Sequence, residues 1–370
     1  MASNEKKPFR ADHVGSLLRP QTIHDARAKR ARGEISAEQL KEIEDREIER
    51  VIKKQEEVGL KAITDGEFRR SWWHLDFLWG LDGAQKHVMD TGIKFAAVNT
   101  RNEGVAVTGK LGLSGPHAMV EHFKFVAAHT RQTPKITIPS PSAIYGRPVA
   151  TPIDKRAYPD MDEFWQDLGN AYRKAVRSFA DAGCRYLQLD EVFIAMLCDP
   201  NYCDQMRKRG DDPDKLGPLY GDLINAAMAD IPSDMTITMH LCRGNYKSTF
   251  MGSGGYEAEA EVLFDRIKVH GYFMEYDTER AGGFEPLRMV PKDRRVVLGL
   301  ITTKTGELEK KDVIKRRIDE AAKYISLDQL CLSPQCGFAS TEEGNSLTEE
   351  QQWAKLRLIV EIADEVWGSR

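Results

Sequence analysis

The sequence predicts an α/β fold, because short apolar segments alternate with helical patterns along almost all of its 370 residues. Most of these segments are rich in leucine or β-branched residues, and several are apolar on both faces, as the strands of a buried parallel sheet are. Eight such segments alternating with helices are typical of a (β/α)₈ TIM barrel. A doubly wound open sheet remains an alternative, since the number of strands does not decide whether a sheet closes.

The eight predicted strands are each short and are separated by helical patterns or turns. In chain order they cover residues 12–16, 61–67, 135–141, 185–191, 236–242, 272–277, 295–301 and 329–336. No GxGxxG or GxxxxGK[ST] motif follows any of them, which disfavours the common nucleotide-binding versions of an α/β sheet.

Capping residues predict where several helices begin and end. One helix is predicted from Ser36, where Gln39 completes a capping box, to about Gly59. Two more are predicted to begin at about Asp160 and at Thr348. The remaining helical patterns cover approximately residues 218–228, 257–268 and 309–324.

Residues 80–130 depart from this alternation. They contain the glycine-punctuated stretch VAVTGKLGLSG (105–115), which is typical of a β-hairpin and would be an insertion after the second strand. We find no linker, low-complexity tract or internal repeat. Residues 1–370 are therefore predicted to form a single catalytic barrel domain with one insertion at about 80–130.

Composition excludes several classes of function. The formal net charge of -4 leaves no basic surface of the kind that binds nucleic acid. No apolar run of 18 residues predicts a membrane span, and the first residues lack the apolar segment of a signal peptide. We therefore expect a cytoplasmic protein, in which the six cysteines are metal ligands, catalytic or buried rather than disulfide-bonded.

Metal-capable side chains are concentrated at the predicted carboxyl ends of strands, where the active sites of barrels form. His240 and Cys242 are two residues apart in one strand, so they lie on the same face. Glu275 and Cys336 end two other strands. Each of these residues alone is more often a core residue or a helix cap. Together, two thiolates, an imidazole and a carboxylate can form a four-coordinate site, and these ligands favour zinc over magnesium or calcium.

A zinc ion with two cysteine ligands suits a particular chemistry. It can bind a substrate thiol and remove its proton, because a coordinating thiol is deprotonated outright. The resulting thiolate is a nucleophile at neutral pH, which predicts alkyl transfer to sulfur. A hydrolase that activates water is the competing interpretation, but its zinc usually has histidine and carboxylate ligands.

These residues resemble the motifs of the cobalamin-independent methionine synthase family. The HxC of MHLC, the Glu of FMEYD and the Cys of SPQCGF resemble its zinc ligands. The motifs HVGS, DGE and LQLDE resemble its other strand-end motifs, in the same order. The resemblance covers nearly the whole chain and implies the family's catalytic barrel alone. It also implies that Zn²⁺ is bound by His240, Cys242, Glu275 and Cys336.

The resemblance further implies two small-molecule substrates, a thiol and a methyl donor. Val14, Gly15, Ser16, Glu67 and Asp190 would bind the amino acid part of homocysteine or a close thiol. Carboxylates can pair with an α-ammonium group, while backbone N–H groups and a serine hydroxyl can bind an α-carboxylate. The expected function is a zinc-dependent S-methyltransferase that forms methionine.

Three departures from the family pattern concern the methyl donor. The stretch IPSPSAIYG (138–146) has no Trp where folate-using relatives have one, and VFIAMLC (192–198) is apolar where they have a Glu. Lys304 stands in place of the histidine that acts as proton donor. This makes it the candidate catalytic residue, either as proton donor or as an anchor for an anionic group of the methyl donor. We therefore expect poor use of polyglutamyl methylfolate, unless the aromatic pair Trp72 and Trp73 compensates.

Other interpretations stay open at this point. Relatives on this scaffold also open epoxides with a zinc-bound thiol, and a zinc-binding barrel without activity would keep the same ligands. Trp72, Trp73 and His74 can either line a pocket or pack a helix against the barrel. A homo-oligomer also remains an alternative.

Overall fold

The computed structural model describes residues 6–368, which form a mixed α/β fold with a parallel sheet. The strands of this part of the chain are β1 (Ala62–Ile63), β2 (Asp82–Val88), β3 (Glu103–Gly112), β4 (Thr133–Pro134), β5 (Ile136–Pro139), β6 (Tyr186–Glu191), β7 (Thr236–Leu241), β8 (Gly271–Glu275), β9 (Arg295–Ile301) and β10 (Leu330–Pro334). Strands β5 to β10 form one six-stranded sheet in sequence order, with every neighbouring pair parallel.

Helices connect most of these strands. They are α1 (Gln21–Ala31), α2 (Ala37–Val58), α3 (Leu75–Leu78), α4 (Met119–His129), α5 (Met161–Asp181), α6 (Phe193–Met196), α7 (Pro200–Arg209), α8 (Pro213–Ala227), α9 (Lys311–Ala321) and α10 (Glu349–Trp367). None of the helices within residues 6–368 has the length and hydropathy of a membrane span.

Capping hydrogen bonds at Ser36 and Thr348 begin two of the predicted helices, as expected. The Ser36 hydroxyl accepts from the Gln39 N–H, the Gln39 side chain accepts from the Ser36 N–H, and Gly59 ends α2 at φ +97°. Thr348 caps α10 in the same way. Helix α8 begins earlier than predicted, because Asp212 caps it and Pro213 occupies the first turn.

The single α-helix predicted over 257–268 does not form. This stretch contains a 3₁₀ turn (Tyr256–Glu259) followed by a π-helical turn (Val262–Arg266).

The last six predicted strands correspond to β5 through β10, and their ends differ from the predicted ones by at most two residues. All residues of β6, β8, β9 and β10 are buried, in agreement with strands that are apolar on both faces. The parallel register sets His240 opposite Asp190 in the neighbouring strand. The carboxyl ends of β6, β7 and β8 therefore lie at one edge of the sheet.

The first two predicted strands are largely wrong. Residues 12–16 form no strand, and the bridge of this segment is made by Ala11 to Leu332. Of residues 61–67, two form β1, which pairs with β4. The physical reason is backbone geometry, because Gly15, Gly66 and Glu67 have φ values of 144°, 65° and 63°. These values turn the chain out of the extended conformation before a ladder can continue.

Strands β2 and β3 pair antiparallel, with Val88 opposite Glu103. The connection between them, residues 89–102, is joined to other parts of the chain by backbone hydrogen bonds, including one from Ala96 N to Phe250 O. This hairpin and its connection lie within the range 80–130 that departs from the strand–helix alternation.

Gly15 allows the first segment to approach β5, and this close approach generates a prediction. A Cβ at Gly15 would lie 2.6 Å from Cγ2 of Thr137, at a φ that disfavours any side chain. We expect Gly15→Ala to lower the free energy of unfolding by about 1–3 kcal/mol, measured by urea denaturation. Gly115→Ala is the matched control, because a Cβ at Gly115 meets nothing within 4 Å.

A second variant tests the cause of this destabilisation. Thr137→Ser removes the clashing methyl group and keeps the hydroxyl, so it should recover part of the stability of the Gly15→Ala protein. Equal stability of the Gly15→Ala and Gly115→Ala proteins would contradict the assigned contact.

Candidate functional site

Three metal-capable side chains converge at the carboxyl ends of β7 and β10. A ring nitrogen of His240 and the sulfurs of Cys242 and Cys336 lie within 4.8 Å of one another, and the two sulfurs are 3.5 Å apart. His240 ends β7 together with Leu241, while Cys242 and Cys336 lie just beyond β7 and β10. All three residues are buried. The parallel register thus brings together residues that are almost a hundred positions apart in sequence.

His240 is oriented as a metal-binding histidine would be. Its Nδ1 lies 3.3 Å from the carbonyl oxygen of Phe273, and its Nε2 is buried without a hydrogen-bond partner. Bound histidines commonly donate their second N–H to a carbonyl, which sets the tautomer and leaves the other nitrogen for the metal. A buried ring nitrogen without a partner, next to two sulfurs, fits a soft metal ion such as zinc.

The two cysteines are hydrogen-bonded to each other, with their sulfurs 3.5 Å apart. This hydrogen bond lowers the pKa of Cys336 well below its ordinary value. The same hydrogen bond, together with burial, raises the pKa of Cys242. Burial lowers the pKa of His240, but Cys336 and the nearby carboxylates raise it by more.

Glu275 lies apart from the group of three in this structure. Its carboxylate is completely buried and accepts hydrogen bonds from the Arg243 N–H at 3.0 Å and from the Arg280 guanidinium. The negative charge of Glu275 still acts on both Cys242 and His240, so the carboxylate is close to the cluster. Its use as a fourth ligand would require the carboxylate to move closer to the group of three.

The acidic residues predicted to bind a thiol's amino group face the same cavity as this cluster. Asp190 and Glu67 both line it and are both buried. Asp190 accepts from the Gln188 side chain at 2.7 Å, and Glu67 accepts from the Thr137 hydroxyl at 2.8 Å. The second oxygen of Glu67 is buried without a hydrogen-bond partner. Burial raises the pKa of Asp190 to about 7 and also raises the pKa of Glu67.

The HVGS segment reaches the same cavity. Val14 and Ser16 line it, whereas Gly15 brings the backbone against Thr137 of β5. The carbonyl oxygen of Val14 accepts from Gln188, the residue that also binds Asp190. The segment and Asp190 are therefore held by a common amide side chain.

Lys304 is placed differently from the other predicted site residues. Its ammonium group forms an ion pair with Asp277 at 2.7 Å and lies 3.9 Å from Glu275. It is absent from the lining of the cavity that contains His240 and Asp190.

The cavity itself encloses about 770 Å³ of space, part of it open to solvent. Beside the thiol-facing residues it is lined by aromatic and apolar side chains, among them Trp72, Trp73, Phe95 and Tyr246. The tryptophans and His74 thus face the cavity, so the pocket alternative fits this structure. Trp72 is anchored by a hydrogen bond of its indole N–H to Glu103.

Sequence reasoning missed several residues of this wall. Ile93, Phe95 and Thr100 come from the connection between β2 and β3, and Arg147 follows the IPSPSAIYG stretch. The range 80–130 departs from the strand–helix alternation, but nothing in its sequence pattern indicates that residues 89–102 line the cavity. For Arg147, the only signal in the sequence is a positive charge shortly after the predicted strand 135–141, at the strand end where polar residues are found.

Comparison with known proteins agrees with the geometry. The model of the family described as "Cobalamin-independent synthase, Catalytic domain" matches residues 9–365. The uncharacterized protein YxjH of Bacillus subtilis is 52% identical over 363 residues, which cover 98% of this chain and 96% of that protein. A methionine synthase of Pyrococcus abyssi is 25% identical over 326 residues, 88% of this chain and 84% of that enzyme.

A solved structure is also similar. The crystal structure of a candidate vitamin-B12 independent methionine synthase from Listeria monocytogenes superposes with a TM-score of 0.79 at 42% sequence identity. The match covers 99% of this chain and 100% of that one.

The raised pKa of Asp190 generates a prediction about pH. In the folded protein this carboxyl keeps its proton up to a pH of about 7, whereas in the unfolded chain it releases it near pH 4. Unfolding between these values releases a proton, so a rise in pH favours the unfolded state. In metal-free protein, the stability lost between pH 5 and pH 8 should be about 2–3 kcal/mol larger for the wild type than for Asp190→Asn.

Urea denaturation at the two pH values measures this difference. Asp204→Asn, on an exposed turn of α7, is the matched control and should behave like the wild type. An identical pH dependence of wild type and Asp190→Asn would show that the carboxyl titrates normally.

Proposed function

Because this chain belongs to the cobalamin-independent methionine synthase family, we propose that it is a zinc-dependent enzyme that transfers a methyl group to the sulfur of homocysteine or a close thiol. The observation that carries the proposal is the placement of His240, Cys242 and Cys336 in one cavity with Asp190 and Glu67. A soft metal site and a pair of buried carboxylates are what a thiol amino acid requires at its two ends.

His240, Cys242 and Cys336 would hold the zinc ion, with Glu275 as the proposed fourth ligand. Zinc bound there would supply the acidity that keeps a substrate thiol deprotonated at neutral pH. The residues around the site support this use. The carbonyl of Phe273 orients the His240 ring, and Arg280 and the Arg243 N–H hold the Glu275 carboxylate close by.

Asp190 and Glu67 would bind the α-ammonium group of the thiol substrate. Both carboxyls are buried and burial favours their protonated forms, although Arg70 lies 3.5 Å from Glu67 and partly opposes this effect there. An ammonium group would favour ionisation of the carboxyls and satisfy the unpaired oxygen of Glu67. Ser16 and the backbone from Val14 through Gly15 would bind the α-carboxylate on the other side.

The methyl donor would occupy the aromatic part of the cavity. The connection 89–102 and the Trp72–Trp73 segment line the cavity, and Val192 and Phe193 add apolar side chains to its lining. These features support a compact donor in preference to polyglutamyl methylfolate. Lys304 stays the candidate proton donor, and its ion pair with Asp277 must open before its ammonium group can reach the donor.

We also propose that the sheet closes into a (β/α)₈ barrel with the β2–β3 hairpin inserted after its second strand. The Ala11–Leu332 bridge supports closure at β10, and the β1–β4 pair supports it beside β5. A hydrogen bond from Leu17 N to Gly66 O joins the two segments between these points.

The zinc proposal predicts the behaviour of two cysteine variants. Cys336→Ser should lose bound zinc and methyl transfer but keep its circular dichroism spectrum, because the apolar core does not depend on the ion. Cys203→Ser, which is half-buried and outside the cavity, should retain both. The measurement is zinc content by mass spectrometry after gel filtration, and full zinc retention by Cys336→Ser would refute the ligand assignment.

The test of the proposed function is a screen of zinc-loaded protein against several thiols and methyl donors. We expect homocysteine to be methylated, and methyltetrahydrofolate triglutamate as sole donor to support only slow turnover. Turnover as fast as that of full-length methionine synthases would contradict the proposal about the donor. Alkylation by an epoxide without methylation would favour the related alkyl transfer, and binding of zinc without any reaction would favour a silent barrel.

A further inference from the structure

Arg147 is a buried cation on the wall of the cavity that lacks an acidic partner. Its side chain is 2% exposed. Its guanidinium donates to the carbonyl of Glu103 at 3.3 Å and approaches the sulfur of Met89 at 3.6 Å, and its Nε is buried without a partner. Within residues 6–368, we find no carboxylate in salt-bridge contact with it.

Other cations around the site are neutralised. Lys304 is paired with Asp277, and Arg70 lies 3.5 Å from Glu67. A buried charge without a counterion is costly, and buried charges in proteins are normally paired. An unpaired one on the wall of a cavity therefore indicates a site for a ligand of opposite charge. Burial also lowers the pKa of Arg147 to about 10, which still leaves it charged at neutral pH.

The surroundings of Arg147 form a built subsite. His74 lines the same cavity, its Nδ1 is buried without a partner, and burial together with Arg147 lowers its pKa well below the ordinary value. It is therefore a neutral ring with a nitrogen available for a ligand. Gly104 contributes by having no side chain, because a Cβ there would lie 3.3 Å from Nη1 of Arg147.

The charges of the cavity are divided between two groups of residues. Asp190 and Glu67 belong to the thiol-binding group, while Arg147 and His74 accompany Trp73, whose ring centroid lies 4.5 Å from that of His74. We propose that Arg147 binds an oxyanion group, a carboxylate or a phosphate, on the second substrate, whose apolar part lies against Trp73 and Phe95. This inference rests on the proposed function, because it assigns the donor part of the same cavity.

The assignment also changes the role considered for Lys304. A lysine already paired with Asp277 has less charge to offer an incoming anion than an unpaired buried guanidinium has. Arg147 is thus a specificity-determining residue, and a donor without an anionic group would leave its charge buried and unpaired.

The experiment is calorimetric titration of the full chain with matched probes, in the absence of any thiol. The probes are 3-phenylpropionate, its neutral amide 3-phenylpropionamide, and phenyl phosphate. We expect at least one anion to bind about tenfold or more tightly than the amide, as for a hydrogen bond to a charged group. The anion that binds more tightly identifies carboxylate or phosphate as the recognised group.

Three variants locate the effect. Arg147→Met should abolish the preference for the anion, and Arg147→Lys should retain part of it because the charge remains. Lys94→Met is the matched control, since it removes an exposed charge from the connection that lines the cavity. Equal binding of anion and amide by the wild type, or an unchanged preference in folded Arg147→Met, would overturn the proposal.

The same titrations with zinc-loaded and zinc-free protein separate this proposal from the proposed function. The preference that depends on Arg147 should be present in both forms, because the guanidinium acts without the metal. A preference that survives in Arg147→Met and vanishes on zinc removal would mean that the anion binds the metal, which would also overturn the assignment. Failure to methylate homocysteine would leave the titration result standing.

Discussion

The parallel pairing of β6, β7 and β8 is the constraint on which the arrangement of the site depends. Residue-by-residue register sets His240 beside Asp190 and carries Glu275 to the same edge of the sheet. Because side chains alternate along a strand, a slip by one residue would turn His240 away from Cys336 and into the other face. Burial of these strands on both faces makes such a slip costly, since it would move polar groups into the apolar layers.

The ionisable groups at this edge of the sheet are buried, and neighbouring residues neutralise their charges to different degrees. Cys242 and His240 both lower the pKa of Cys336, while Glu275 is held by Arg280 and a backbone N–H. In the described part of the chain Asp190 has no such cation beside it, whereas Glu67 lies 3.5 Å from the Arg70 guanidinium, and burial raises the pKa of both carboxyls. Residues that are under-compensated in the free protein are the ones expected to gain a partner when substrate binds. This reasoning supports the proposal that the carboxylates bind the ammonium group of a thiol substrate. It also applies to Arg147, a buried cation that would gain an anionic partner.

The connection between β2 and β3 gives the cavity its particular shape. It brings Ile93, Phe95 and Thr100 over the carboxyl edge of the sheet, and its neighbour Glu103 anchors both Trp72 and Arg147. The contacts of this segment therefore influence the aromatic wall of the cavity, while the metal-capable cluster lies at the carboxyl ends of β7 and β10. A change in the connection can thus alter the aromatic wall without moving the cluster.

The sequence by itself determined the alternation of strands and helices, the caps of α2 and α10, and the strand ends that carry metal-capable residues. These features depend on local interactions or on the two-residue period of a strand, both of which can be read along the chain. Sequence reasoning placed strands at 12–16 and 61–67, because it cannot detect that Gly15, Gly66 and Glu67 turn the backbone. It also selected Lys304 and overlooked Arg147. Only the tertiary structure decided which of these two cations is neutralised. Asp277 pairs with Lys304 although it is 27 residues away in sequence. Within residues 6–368, no carboxylate reaches the guanidinium of Arg147. Charge compensation depends on distances in space, and these are set by how the sheet brings distant strand ends together.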